Sequence, residues 1–213
     1  MDNIERAKAA VELLKEEYPG AVCSLTYTKP HELLIATRLS AQCTDARVNI
    51  VTPVLFGKYP TIDALAEADE QDISDIIHSC GFYKMKAHDI SQTCKILRDK
   101  YNGVVPDTVE ELIKLPGVGR KTANLVVGDI YGKPAVVCDT HCIRITNLLG
   151  LTDTKDPAKC EIELRKLLDP KESNDFCHRT VLHGRAVCIA RHPKCENCVL
   201  KEICAHAQSK KEK

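Results

Sequence analysis

The sequence predicts an all-α protein, and three observations carry that expectation. Apolar residues recur at spacings of three and four through nearly every segment of the 213-residue chain. No stretch alternates apolar with polar residues for long enough to build a sheet. Proline, glycine and capping residues divide the apolar runs into helix-sized pieces.

Taken in order, MDNIERAKAAVELLKEEYPG is an amphipathic helix and not a signal peptide. After Pro30, the run from His31 to Tyr59 reads as two helices or one kinked helix. Pro60 and Thr61 open the next, which breaks near Asp69. A helix from Met85 is closed by Gly103, and DTVEELIKL and ANLVVGDIYG form a helical pair around 108–131. After Pro134 a short extended run enters a helix with Asp139 placed as its N-cap. CEIELRKLLDP and ESNDFCHRTVLHGRAVCIA add two more, and only SKKEK at the end has a disordered composition. No fixed-period repeat interrupts this pattern.

No apolar run is long enough to span a membrane. Twelve cysteines without a visible export signal place the chain in a reducing cytoplasm, where clustered cysteines point to metal. The formal net charge is zero, which argues against an unselective polycation. Its distribution is uneven: residues 61–75 hold six acids and no Lys or Arg, whereas 177–213 hold eight Lys/Arg against three acids. A neutral chain with a basic end can still present one face to a polyanion.

The most informative stretch is Leu115-Pro116-Gly117-Val118-Gly119-Arg120-Lys121-Thr122-Ala123-Asn124. Asp107 and Glu110 suit a capping box for the helix before it. Pro116 and Gly117 stop that helix, and Gly119 is a second residue free to take positive φ. The resulting hairpin sets backbone N–H groups of Gly117, Val118 and Gly119 at a helix N-terminus, a cradle suited to phosphate. Lys121 falls in the first turn of the second helix. Its ammonium is expected at the positive dipole end and partly desolvated; both effects lower its pKa, as a nucleophilic lysine requires. The plain alternative is a hairpin that turns a corner and carries a surface lysine.

Four cysteines close the chain as Cys188-x6-Cys195-x2-Cys198-x5-Cys204, a spacing that can surround one metal centre. A four-cysteine zinc site is the alternative, but zinc ribbons usually carry two Cys-x2-Cys pairs and this run has one, which favours iron–sulfur. The other eight cysteines fall mostly at apolar helix positions and read as small core residues.

Three motifs in order, LSAQCTD at 39–45, LPGVGRKTAN at 115–124 with VVCDTHCIR at 136–144, and the cysteine run at 188–204, resemble the endonuclease III family of helix-hairpin-helix DNA glycosylase/AP lyases over almost the whole length. The resemblance implies two helical lobes with a DNA-binding cleft between them: a six-helix barrel at 22–135, and a cluster lobe built from 1–21 and 136–213. It implies one [4Fe-4S] cluster on the four cysteines. It also implies an enzyme that removes oxidised pyrimidines from duplex DNA and cuts the strand 3′ to the abasic site. Lys121 is then the imine-forming amine, and Asp139, facing it across the cleft, the stabilising carboxylate. Gln42 enters the gap left by a flipped nucleotide. Phe82 stands at the opposing wedge position, where a leucine-like residue is expected. Gly117, Val118 and Gly119 hold a DNA phosphate, with a monovalent cation as a candidate bridge, and Arg120 adds a DNA contact. Arg191 and Lys194 form the cluster loop that meets the backbone, and His141 orders the active-site helix. The implied protein is a monomer, cytoplasmic and nucleoid-associated.

Related readings fit less well. An adenine-specific mismatch glycosylase would carry a glutamate where this chain has Thr37, and a thymine/uracil mismatch glycosylase would replace Lys121. A non-enzymatic helix-hairpin-helix module with a zinc-stabilised tail would be colourless and would not cut DNA. Arg38 falls where an apolar residue is expected, and nothing in the sequence accounts for it.

Overall fold

The computed structural model describes residues 1–211, and among these every regular element is a helix. They gather into two compact units. One is Cys23–Tyr131; the other joins Met1–Val22 to the chain from Gly132 onward.

Helix α1 (Asn3–Glu17) opens the discontinuous unit. Its start is fixed by a reciprocal cap, with Glu5 N–H donating to Asp2 Oδ1 at 2.8 Å and Asp2 N–H to Glu5 Oε2 at 3.1 Å. The stripe Ala7, Ala10, Val11 and Leu14 is buried. This face packs on α10 (Pro157–Leu167) and α11 (Ser173–Ala186), whose Leu164 and Phe176 are fully buried. Each such large apolar side chain contributes about 1.5–3 kcal/mol on burial. Helix α9 (Thr140–Leu149) completes the packing against α11. Helix α12 (Ala205–Lys211) runs through Ser209, Lys210 and Lys211, where disorder was expected; Gln208 N–H bonds Cys204 O at 3.0 Å and starts the helix. Glu212 and Lys213 lie outside the described residues.

In the other unit the run after Pro30 divides into two helices, α2 (Pro30–Ser40) and α3 (Asp45–Lys58), parted by Gln42 at φ 55°. The expected break at Asp69 separates α4 (Ile62–Glu67), capped by Thr61, from α5 (Glu70–Ile76), capped by Asp69 itself. Helix α6 (Tyr83–Tyr101) begins two residues before Met85 and stops where Asn102 and Gly103 both turn left-handed. A one-turn helix, α7 (Val109–Leu112), and α8 (Arg120–Tyr131) form the hairpin. Leu33, Leu39, Leu55, Leu65, Leu112 and Val126 are buried at the centre of this unit.

Of the eight cysteines read as core, Cys80, Cys94, Cys138, Cys142, Cys160 and Cys177 are buried. Cys23 and Cys43 are only half-buried, because both precede helices in connecting segments.

Candidate functional site

The hairpin keeps its expected place but not its expected details. The N-cap of α7 is Thr108, whose Oγ1 accepts from Glu111 N–H at 3.4 Å, so the Asp107–Glu110 box is displaced by one residue. Burial of Val109 sets the phase. Gly117 takes φ 69°, whereas Gly119 does not use positive φ. Its carbonyl accepts from Ala123 N–H at 3.0 Å, so Gly119 stands immediately before α8 as its N-cap.

Val118 departs further from expectation. Its amide donates to Leu115 O at 3.2 Å and its side chain is buried, so it anchors the turn inward. Among the described residues, nothing accepts from the amides of Gly117 and Gly119, and these two remain available to an anion. Arg120 and Lys121 are exposed on the first turn of α8. Lys121 is therefore not desolvated as expected, because its side chain leaves the buried Ala123–Gly128 stripe.

The turn is supported from below by residues that sequence reasoning missed or left unexplained. Arg38 on α2 meets Asp89 on α6, with Nη2 at 2.6 Å and Nε at 2.8 Å from Oδ2. Thr93 Oγ1 donates to Pro116 O at 3.1 Å. Arg38 stands at an apolar phase of α2, and its partner lies fifty-one residues away, beyond any local pattern.

Gln42 is exposed, and Phe82 is 61% exposed at φ 47°. Phe82 is thus not a core aromatic; it projects from the N-cap of α6. Thr37, where a related glycosylase would place a glutamate, is buried and returns its hydroxyl to Leu33 O at 2.7 Å.

In the discontinuous unit Asp139 caps α9 as expected, Oδ1 accepting from Cys142 N–H at 2.7 Å. The residue is half-exposed, and Oδ2 has no bond within the described residues. His141 packs where a Cβ on Gly184 would stand 2.4 Å from its Nδ1, so α9 and α11 approach through a glycine. Arg144, one turn along α9, donates to Cys188 O at 2.7 Å and to His141 Nδ1 at 3.2 Å. It ties the Asp139 helix to the cysteine loop.

Cys188, Cys195, Cys198 and Cys204 are half-buried free thiols that line one cavity of about 300 Å³ with Arg144 and Leu148. Among the described residues no three His, Cys, Asp or Glu converge on a single-ion position. Four cysteine thiols around one cavity are the donor set that an iron–sulfur cluster takes. Burial pushes the Cys188 and Cys198 thiols up, with Arg144 opposing this at Cys188, so loading a cluster here releases protons. His183 reaches Cys198 Sγ at 3.3 Å, and burial holds its pKa to about 4. Lys194 N–H closes the loop onto Val187 O at 2.9 Å, leaving the Arg191 and Lys194 side chains exposed.

Residues 35–170 match the HhH-GPD superfamily of base excision DNA repair proteins. Residues 188–204 match the iron–sulfur binding domain of endonuclease III. An Endonuclease III from Synechocystis sp. is 48% identical over 206 residues, 96% of this chain and 94% of that one. The chain belongs to the endonuclease III family. A solved non-covalent Endonuclease III–DNA complex shares 40% identity with a TM-score of 0.92 and covers 100% of both chains. A trapped Endonuclease III–DNA covalent intermediate gives 40% and 0.92, covering 99% of this chain and 100% of that one. As a member of that family, the chain is a base excision repair DNA glycosylase and AP lyase with an iron–sulfur domain at 188–204. No helix among the described residues is long and apolar enough to cross a membrane.

Proposed function

We propose that this enzyme, acting as a monomer, removes oxidised pyrimidines from duplex DNA through an imine on Lys121. The observation that carries the proposal is the pairing of an exposed lysine on the first turn of α8 with two uncommitted amides, Gly117 and Gly119, in the turn before it. A target inside a duplex must be flipped out before chemistry. Gln42 and Phe82, both exposed, are suited to fill the vacated space. The Gly117 and Gly119 amides hold a backbone phosphate, where a monovalent cation can bridge, with Arg120 beside them.

Lys121 Nζ, after losing its proton, attacks C1′ and expels the base. The C1′–O4′ bond of the resulting aminal then breaks, the nitrogen gives up a proton and O4′ gains one as the sugar ring opens, and the C1′–N bond becomes an imine. The imine acidifies the C2′ hydrogens, and proton loss there breaks the C3′–O bond, cutting the strand 3′ to the site. Asp139 offers Oδ2 to positive charge developing on the sugar while Oδ1 continues to cap α9. Lys121 is exposed in the free protein, so the exclusion of water that this chemistry needs comes from the bound DNA. Cys188, Cys195, Cys198 and Cys204 would hold one [4Fe-4S] cluster, which when bound cross-links the loop that presents Arg191 and Lys194 to the DNA backbone.

Borohydride trapping on a duplex with one oxidised pyrimidine tests this reading. Wild type gives a covalent protein–DNA adduct, Lys121→Ala gives none, and Asp139→Asn gives it slowly. Base release without an adduct overturns the imine. An adduct that survives in Lys121→Ala moves the nucleophile elsewhere.

A further inference from the structure

Among the lysines used by neither the hairpin nor the cluster loop, one is set apart by its burial. Lys86, on α6, is 1% exposed and heads the fully buried side chains by size. Its ammonium has three hydrogens, and three backbone carbonyls receive them: Leu39 O at 2.8 Å, Ala41 O at 2.8 Å and Cys80 O at 2.9 Å. Burying an ammonium is costly, and here no carboxylate compensates; carbonyl dipoles alone do. Packing would be served as well by methionine, so the charge answers a different need.

The identity of the three carbonyls supplies that need. Leu39 and Ala41 lie just before Gln42, and Cys80 lies just before Gly81 and Phe82. Gln42 (φ 55°), Gly81 (φ 68°) and Phe82 (φ 47°) are all left-handed, a conformation costing about 1–2 kcal/mol for a residue with a side chain. Two strained non-glycine residues on separate segments persist only where their surroundings fix them. The Lys86 main chain adds to this, its N–H donating to Phe82 O at 3.0 Å.

We propose that Lys86 is the positioning residue that fastens the Gln42 and Phe82 turns to each other, so that both side chains meet the duplex as one preformed wedge. The proposal rests on the reading of Gln42 and Phe82 as the inserted residues. Holding both turns before binding removes the ordering cost from the flipping step. Lys86 itself touches no DNA.

The test uses the full-length, cluster-loaded enzyme with Lys86→Met and Lys86→Gln, each assayed below its own thermal midpoint. Two substrates are compared: a duplex with one oxidised pyrimidine, and a single-stranded abasic site that requires no wedge. Lys86→Met should lose roughly 10²-fold on the duplex, the scale of a misplaced positioning group, and stay within about threefold on the single strand. Lys86→Gln, keeping two donors, should fall between. In a Gln42→Ala/Phe82→Ala background, Lys86→Met should cost nothing further on the duplex, because the groups it positions are gone. Equal losses on both substrates make Lys86 a residue of the fold alone and overturn the proposal, as does an unchanged duplex rate. If Gln42→Ala and Phe82→Ala themselves leave duplex turnover intact, the wedge reading fails. If they impair it and Lys86→Met does not, only the role of Lys86 fails.

Discussion

Arg38 occupies the place that a side chain on Gly117 would need: a Cβ built there would lie 2.3 Å from Arg38 Nε and 2.6 Å from Asp89 Oδ2. The hairpin glycine thus answers two demands, a φ of 69° and an ion pair packed beneath it. Gly117→Ala would have to meet the left-handed penalty of about 1–2 kcal/mol and also push the Arg38–Asp89 pair aside. The expected result is weaker DNA binding that is uniform across sequences, the signature of a lost phosphate contact. Fluorescence anisotropy with several unrelated duplexes measures it. Sequence-selective weakening would contradict the phosphate role.

Arg38 and Asp89 are each nearly buried, with side chains 12% and 15% exposed. Removing one partner leaves the other charge poorly solvated, whereas removing both does not. Arg38→Leu alone should destabilise by about 2 kcal/mol, within the range for losing one side of such a pair. Adding Asp89→Asn should recover most of the loss. Thermal unfolding of the two singles and the double closes the cycle. Additive losses would show that the pair carries no coupling.

These residues also mark where the sequence ceased to be legible. Local signals reported well: Thr61, Asp69 and Asp139 each cap the helix that follows them, because a cap is written within three residues. The cap expected at Asp107 with Glu110 lies one residue further on, at Thr108 with Glu111, in phase with the burial of Val109. Gly119 was legible as a glycine but not as an N-cap, and Val118 as a cradle residue but not as one whose amide turns inward. The supports were not legible at all. Arg38 with Asp89, Lys86 with Cys80, and Arg144 with Cys188 join different elements, and no periodicity records such a partner.

Glu32 gives the start of α2 a dependence on pH. Burial raises the pKa of its carboxyl, but bonds from Thr28 N–H (2.7 Å), Thr28 Oγ1 (2.9 Å) and Lys29 N–H (3.1 Å) outweigh burial and hold it below the ordinary value. A carboxyl depressed on folding adds stability above its unfolded pKa of about 4.3, and that stability drains as pH falls through the folded value. Glu32→Gln should therefore cost about 1 kcal/mol near pH 7, the size of a lost cap. The gap to wild type should close below about pH 4. Denaturant midpoints at pH 7, 5 and 3.5 test this. A gap that widens toward acid would reverse the sign and refute the assignment.

Arg144 joins the Asp139 helix to the cysteine loop, and its loss should be felt first by the cluster. Its guanidinium donates to Cys188 O at 2.7 Å and favours the thiolate form of Cys188, so it holds the backbone of the first cysteine and eases deprotonation of its sulfur. Groups that orient a metal ligand in this way are commonly worth 10–100-fold in metal affinity. Arg144→Met keeps an apolar stem at the cavity wall and removes only the donors. The expected outcome is a cluster that bleaches roughly tenfold faster under an iron chelator, followed by absorbance near its visible band. Activity on an abasic site should decline in step with that bleaching, because the cluster holds the loop while Arg144 connects the loop to α9. Were activity to fall at once while the colour persisted, Arg144 would be acting through α9 and Asp139, and the cluster would be a bystander to its effect.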